Sequence, residues 1–165
     1  ELRAECGEVA GVGRRLGGQK RESAGVAKRQ DVRVVVPEWM NGVANALDAP
    51  TERFGDRLAD FEVEALVDNP LWQEATLFDG ETLVVPEALG TVAYFRAPDE
   101  RLGVHPMLRP LPPKRLRSHD PERLLVGHGE GITDDVGRSI RRAIDNSRRT
   151  AVPLYLKSAR DFIGI

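Results

Sequence analysis

The segment Leu124–Gly131, LLVGHGEG, constrains the fold of this chain more than any other. Its first three residues are apolar and predict a buried strand, which runs directly into a histidine, His128, between two glycines. Glycines on both sides leave space around the imidazole and permit a sharp turn. Because open α/β sheets place ligands at the carboxyl ends of their strands, His128 is a candidate functional residue.

The apolar pattern before this segment predicts mainly strands. A helix that begins at Pro37 and ends at Leu47 follows the first of them, with Pro37 in its first turn. The dipeptide Asp79-Gly80 predicts a hairpin with a type I′ turn. The predicted strands are Asp31–Val36, Phe61–Val67, Glu74–Phe78 and Thr82–Val85.

The pattern after the hairpin predicts a proline-rich arm over 96–113, the strand that leads to His128, and two helices. The first helix runs from Asp134 to about Ser147, with Thr133 as its N-cap and Asp134 and Asp135 in its first turn. The second covers about 152–163. Strands and helices in this order predict an α/β protein with a mixed sheet and flanking helices. The residues expected to be buried in the two helices are Val136, Ile140, Ala143, Ile144, Leu154, Leu156 and Phe162.

Length and composition predict one α/β domain over 31–165, preceded by a poorly ordered or divergent segment, 1–30. A single cysteine, Cys6, excludes an intramolecular disulfide. Neither a secretory segment nor a membrane span is apparent, so we expect a cytoplasmic protein without a membrane partner. The chain begins with Glu1, which raises the alternative of a fragment.

Charge is distributed unevenly along the chain. Residues 31–100 carry a net charge of −11 and residues 101–165 a net charge of +6. Five arginines in and between the predicted C-terminal helices form a basic flank, which is a solvated face, a docking site for the acidic middle segment of the chain, or a docking site for an acidic partner. Aromatic residues are not interleaved with them, which argues against nucleic-acid binding. These arginines are Arg138, Arg141, Arg142, Arg148 and Arg149.

Two segments together resemble the C-terminal half of the metallo-β-lactamase superfamily. The first is Leu83–Thr91, LVVPEALGT, and the second is Leu124–Ile132, LLVGHGEGI, with a variable arm between them. The resemblance covers about 31–165 and implies a divergent or incomplete αββα sandwich. By position, it places Glu87 where that family has a metal-bridging carboxylate and His128 where it has the final metal-binding histidine. In intact relatives these positions serve one or two zinc ions.

Other metal-binding motifs of that family are missing from this sequence. No HxHxDH occurs, and the best positional candidate, Cys6–Val12, has Gly7 and Glu8 where Asp and His are expected. The stretch Asp68–Trp72 lacks the family's next histidine. A catalytic zinc usually needs three protein ligands, so the metal site is incomplete and zinc binding itself is in question. The other two histidines, His105 and His119, lie in predicted loops, where we expect solvated side chains.

Two functions remain open at this point. One is a divergent or truncated metallo-β-lactamase-like hydrolase domain with weak or no activity, whose substrate the sequence does not identify. The other is a metal-free binding module that uses its cleft or its basic helix flank. A third explanation concerns the chain itself: an N-terminal part from a shifted reading frame or incomplete gene would leave a sheet edge exposed, which predicts a homodimer or low solubility.

Overall fold

The computed structural model describes residues 12–13, 29–30, 33–45, 47–69 and 72–163. The chain divides into two compact units, Glu1–Leu77 and Phe78–Ile165. The strands of the described residues are β1 Val12–Gly13, β2 Val34–Pro37, β3 Thr51–Phe54, β4 Arg57–Leu58, β5 Phe61–Asn69, β6 Trp72–Phe78, β7 Thr82–Gly90, β8 Gly103–Val104 and β9 Arg123–His128. The α-helices are α1 Asn41–Ala44 and α2 Val136–Ile163, and 3₁₀ turns cover Pro106–Leu108 and Lys114–Ser118.

The first unit contains two groups of strands. In one, β6 pairs antiparallel with β1 and lies beside β5, which pairs antiparallel with β4. In the other, β2 and β3 pair in parallel, from Val34 opposite Thr51 to Pro37 opposite Phe54. The strand predicted at 61–67 is confirmed as β5. Strands β1, β3 and β4 were not predicted, because each is short and has no clear alternation of apolar residues.

The predicted helix 37–47 is wrong in its extent. Pro37 ends strand β2 instead of opening a helix, and α1 covers only four residues. The apolar spacing nevertheless identified core positions, since Met40, Val43 and Leu47 are all buried. Most of segment 1–30, including Cys6–Gly11, and the first residues of the predicted strand 31–36 lie outside the described part of the chain.

The second unit is built around β7. Strand β9 runs parallel to β7, with Leu83 opposite Leu124 and Val85 opposite Val126, and β8 runs antiparallel to its far end. Leu83, Val85 and Leu124 are fully buried, so the strand pair contributes these side chains to the core of the second unit. The α/β class with a mixed sheet is thereby confirmed.

The turn between β6 and β7 differs from the predicted type I′ turn. That turn needs positive φ at both central residues, but only Gly80, at φ 98°, has one. Asp79 instead accepts hydrogen bonds through its side chain from the backbone N–H groups of Glu81 and Thr82, at 2.9 and 2.6 Å. These bonds hold the pKa of the Asp79 carboxyl below its usual value.

The two helices predicted at the C-terminus form one continuous helix, α2, with Pro153 inside it. It begins at Val136, so Asp134 and Asp135 precede it and Thr133 is not its N-cap; the Asp135 carbonyl accepts from the Ser139 N–H at 2.9 Å. The predicted stripe is buried as expected, and so is Leu154, but Leu156 is exposed. Phe162 lies outside the described side chains.

The proline-rich arm, residues 96–113, is irregular as predicted, but it is anchored to α2. Arg109 is fully buried and pairs with Glu100 through both of its terminal nitrogens. It also donates to the carbonyls of Phe95 and Val104 and to the Thr150 hydroxyl. Although burial opposes it, bonds from Arg109 and Thr150 hold the pKa of the Glu100 carboxyl below its usual value. Arg109 therefore fixes the arm to the core of the second unit.

Candidate functional site

The structure brings the two predicted site residues together. Glu87 lies in the second half of β7 and His128 ends β9, and the two strands run parallel. His128 Nε2 lies 3.0 Å from Glu87 Oε2, although the residues are 41 positions apart. A carboxylate only accepts hydrogen bonds, so the imidazole is the donor. Glu87 is buried and the His128 side chain is 37% exposed, so the pair is reached from the histidine side.

The glycines around His128 allow its strand to approach β7 closely. A Cβ on Gly127 would lie 2.3 Å from the Pro86 carbonyl oxygen. Gly129 has φ 103°, a conformation that side chains rarely adopt, and turns the chain away after the histidine. The Thr91 N–H then donates to the His128 carbonyl at 2.9 Å. The backbone of His128 is thus fixed at the point where its side chain meets Glu87.

Phe95 forms one wall of the site and was not predicted from the sequence. Its buried ring stacks on the His128 imidazole, with ring centres 5.1 Å apart and planes at 29°. A Cβ on Gly90 would lie 2.6 Å from Phe95 Cγ, so the glycine at the end of β7 makes room for this ring. An aromatic residue shortly after a glycine-ended strand was the signal available, but it is a weak one.

His105 is buried behind Phe95, which corrects the expectation of a solvated loop histidine. Its ring contacts the Phe95 ring edge-on, with centres 5.1 Å apart, and its Nδ1 accepts the Met107 N–H at 3.2 Å. Burial, together with the nearby His128, lowers the pKa of His105 to about 4. The imidazole of His105 is therefore neutral at physiological pH.

We expect the protein to lose stability between pH 6.5 and pH 4 because of His105. The unfolded histidine takes up a proton near pH 6.5 and the folded one only near 4, so acid favours the unfolded chain over this window. The whole shift corresponds to about 3 kcal/mol. His105→Asn keeps an acceptor for the Met107 N–H and removes the titration. Urea unfolding across this pH window should show that the two proteins differ less and less in free energy of unfolding as pH falls. A difference that stays constant with pH would contradict the pKa shift.

His119 is also buried, which corrects the second histidine prediction. Its ring meets the edge of Phe78, with centres 4.9 Å apart and planes at 88°. The burial comes from the 3₁₀ turn Lys114–Ser118, which precedes it and packs Leu116 into the core. No signal in the surrounding polar sequence distinguishes this histidine from an exposed one.

The chemistry of the pair fits two ligands of a metal site. In a tetrahedral zinc site with bonds of about 2.0–2.1 Å, neighbouring ligand atoms lie roughly 3.3 Å apart. The 3.0 Å between Glu87 Oε2 and His128 Nε2 is that of an ordinary hydrogen bond, and the Nε2 proton would have to leave before both atoms could bind zinc. Within the described residues, however, no group of three or more His, Cys, Asp or Glu side chains could hold a metal ion.

The basic helix flank is partly occupied by contacts within the second unit. Arg141 pairs with Asp120 at 3.2 Å, and Arg148 donates to the Pro110 carbonyl at 2.9 Å. Arg138 and Arg142 border a cleft of about 250 Å³ at the start of α2. Much of that flank therefore serves the fold of its own unit.

The described part of the chain is thus an α/β protein with a mixed sheet, a long C-terminal helix and a carboxylate–imidazole pair on two parallel strands. The chain matches no model of a known protein family and no curated protein. Among the described residues, no helix has both the length and the apolar character needed to cross a membrane.

Proposed function

We propose that this chain is a divergent metallo-β-lactamase-like hydrolase domain with weak or no hydrolase activity, in which Glu87 and His128 are the remaining metal ligands. The proposal includes the αββα sandwich that this family would require. It rests on the resemblance of the segments around Glu87 and His128 to two segments of that family. A fold shared with the family would bring these two segments together in space.

The contact between Glu87 and His128 is the observation that supports the proposal most. Glu87, identified by its position in a family motif, and His128, identified by that and by its place at a strand end, lie 3.0 Å apart across a parallel strand pair. The carboxylate is buried and the imidazole opens to solvent, so an ion could reach the pair without rearranging the core. Zinc held there would supply a bound water of lowered pKa.

The number of ligands explains why we expect little or no hydrolysis. A catalytic zinc site usually has three protein ligands and one open position, whereas the described residues offer two. His105 is not a ready third ligand, because it lies behind the Phe95 ring and its Nδ1 already accepts a backbone N–H. An ion bound by two side chains would keep mostly water in its coordination shell and exchange readily.

Zinc titration of the full chain tests this proposal. We expect one weakly held zinc ion per chain by calorimetry, and a loss of affinity of about tenfold or more in His128→Ala, which removes a ligand, and in Glu87→Gln, which removes the carboxylate charge; this is at least the cost of losing an outer-shell partner. Glu130→Gln is the matched control: Glu130 is exposed, lies two residues from His128, and should bind zinc like the original chain.

Two outcomes would contradict the proposal. Absence of zinc binding, or binding unaffected by both substitutions, would remove Glu87 and His128 from any metal site. Efficient zinc-dependent hydrolysis of ester, amide or phosphoester substrates would show that the site is complete and that weak or no activity is the wrong expectation.

A further inference from the structure

An apolar patch on the second unit is independent of the Glu87–His128 pair. It consists of large side chains that are unusually exposed for their type. These are Met107 at 61%, Leu111 at 77%, Val152 at 64%, Tyr155 at 45% and Leu156 at 58%. Together they expose an area on the order of 500 Å², which is the size of the largest apolar patch on a typical monomer and is often functional.

Hydrogen bonds hold the arm against α2. Ser147 and Arg148 of α2 donate to the carbonyls of Arg109 and Pro110, at 2.9 Å each. Further along the helix, the Tyr155 hydroxyl donates to the Pro106 carbonyl at 2.7 Å. Residues 106–110 of the arm therefore lie alongside α2, and the exposed side chains of the two segments share one surface.

The helix contributes to the patch in a regular pattern. Val152, Tyr155 and Leu156 have the spacing i, i+3 and i+4, so they lie on one face of α2. This face adjoins the buried stripe, since Tyr155 lies four residues after the buried Ala151. A ridge of this kind is suited to packing against a second helix.

Basic side chains outnumber acidic ones around the patch, although Asp145, less than one helical turn before Arg148, pairs with Arg117 at 2.9 Å. Residues 103–118 and 146–157, the two segments that meet there, contain no Asp or Glu, although the chain has 26 such residues. Arg148 and Arg149 are exposed beside Val152, and Lys114 and Arg115 follow Leu111 closely. A symmetric contact between two copies of the patch would bring these cations together, which is unfavourable, whereas an acidic occupant would neutralise them.

The residue types in the patch favour a protein partner over a lipid membrane. Tyrosine, methionine and arginine are enriched in protein interfaces, and all three occur here. Helices that lie on membranes present tryptophan, phenylalanine or leucine on their apolar face, and the exposed large apolar residues of the described part include leucine but no tryptophan or phenylalanine. We propose that the patch formed by the arm and α2 is a docking surface for an acidic amphipathic helix of a partner protein.

Selection from a displayed library of short helical peptides, using the full chain as bait, tests this proposal. We expect selected peptides to carry net negative charge and an apolar face. Val152→Ser with Leu156→Ser should weaken their binding by about tenfold or more, as is usual when central interface residues are truncated. The double change Arg148→Glu with Arg149→Glu leaves Lys114 and Arg115 balanced by two carboxylates, so it should abolish the preference for negatively charged peptides.

Matched control variants distinguish binding at the patch from nonspecific attraction between the peptides and the rest of the protein surface. Arg138→Glu with Arg142→Glu changes the net charge equally, at the other end of α2, and Leu125→Ser removes an exposed leucine from β9; both should leave binding unchanged. The proposal fails if selected peptides are neutral or basic, or if the control variants weaken binding as much as the patch variants. It also fails if the patch variants abolish binding to vesicles containing phosphatidylserine, or self-association, while peptide binding persists.

Discussion

Arg109→Met is expected to lower the free energy of unfolding by about 3–5 kcal/mol, the range typical of removing one partner from a buried ion pair. Arg109 is fully buried and its guanidinium is bonded to the Glu100 carboxylate, the Thr150 hydroxyl and two backbone carbonyls. Methionine replaces its volume but none of these bonds. Glu100 would remain as a buried charge beside an apolar side chain.

Chemical denaturation of Arg109→Met and of the double variant Glu100→Gln with Arg109→Met separates charge from packing. The double variant should recover part of the loss, because it removes the stranded carboxylate. Arg149→Met provides the matched control at an exposed position and should change stability by less than about 0.5 kcal/mol. If the single and double variants are equally unstable, packing and not the ion pair determines the loss.

Gly127→Ala is expected to destabilise the protein by about 2–3 kcal/mol, at the upper end of the usual range for overpacking. The added Cβ would lie 2.3 Å from a backbone oxygen, that of Pro86, which cannot rotate away as a side chain could. Strands β7 and β9 would have to separate, and the distance between Glu87 and His128 would grow. The zinc affinity expected of the pair should then fall together with the stability.

Gly55→Ala is the control for this substitution, because a Cβ at Gly55 would meet no atom within 4 Å. Its stability and zinc affinity should match those of the original chain. The outcome that would contradict the steric argument is a Gly127→Ala protein that unfolds at the original denaturant concentration. Measuring zinc affinity on the folded variant distinguishes a moved site from a merely weakened fold.

The sequence predicted much of the second unit because its signals there are long and regular. The stripe Val136–Ile144 repeats at helical spacing over several turns, and the apolar run at Leu124 leaves few alternatives to a buried strand. The break predicted between 147 and 152 was wrong, although proline is unfavourable inside a helix. Here Pro153 lies inside α2, with Ala151 and Leu154 buried on either side, so tertiary packing outweighs the missing hydrogen bond.

The candidate site was predictable in part. Motif positions identified Glu87 and His128, and the parallel pairing of their strands explains the contact. The burial of His105 and His119 was not predictable, because each lies in a proline-rich or polar stretch without apolar periodicity, whose path depends on contacts far away in sequence. The Arg109–Glu100 pair shows the same difficulty, since a charged loop ordinarily predicts a solvated surface.

The parallel pairing of β7 and β9 also has a consequence for folding kinetics. Leu83 pairs with Leu124, so the intervening loop of about 40 residues must close before the pair can form. Closing a loop of that length carries an entropic penalty of roughly 3 kcal/mol plus a constant. During synthesis at about 5–20 residues per second, Glu87 therefore leaves the ribosome seconds before its partner. Over that interval the edge of β7 that later pairs with β9 has no partner and is open to pairing with other strands.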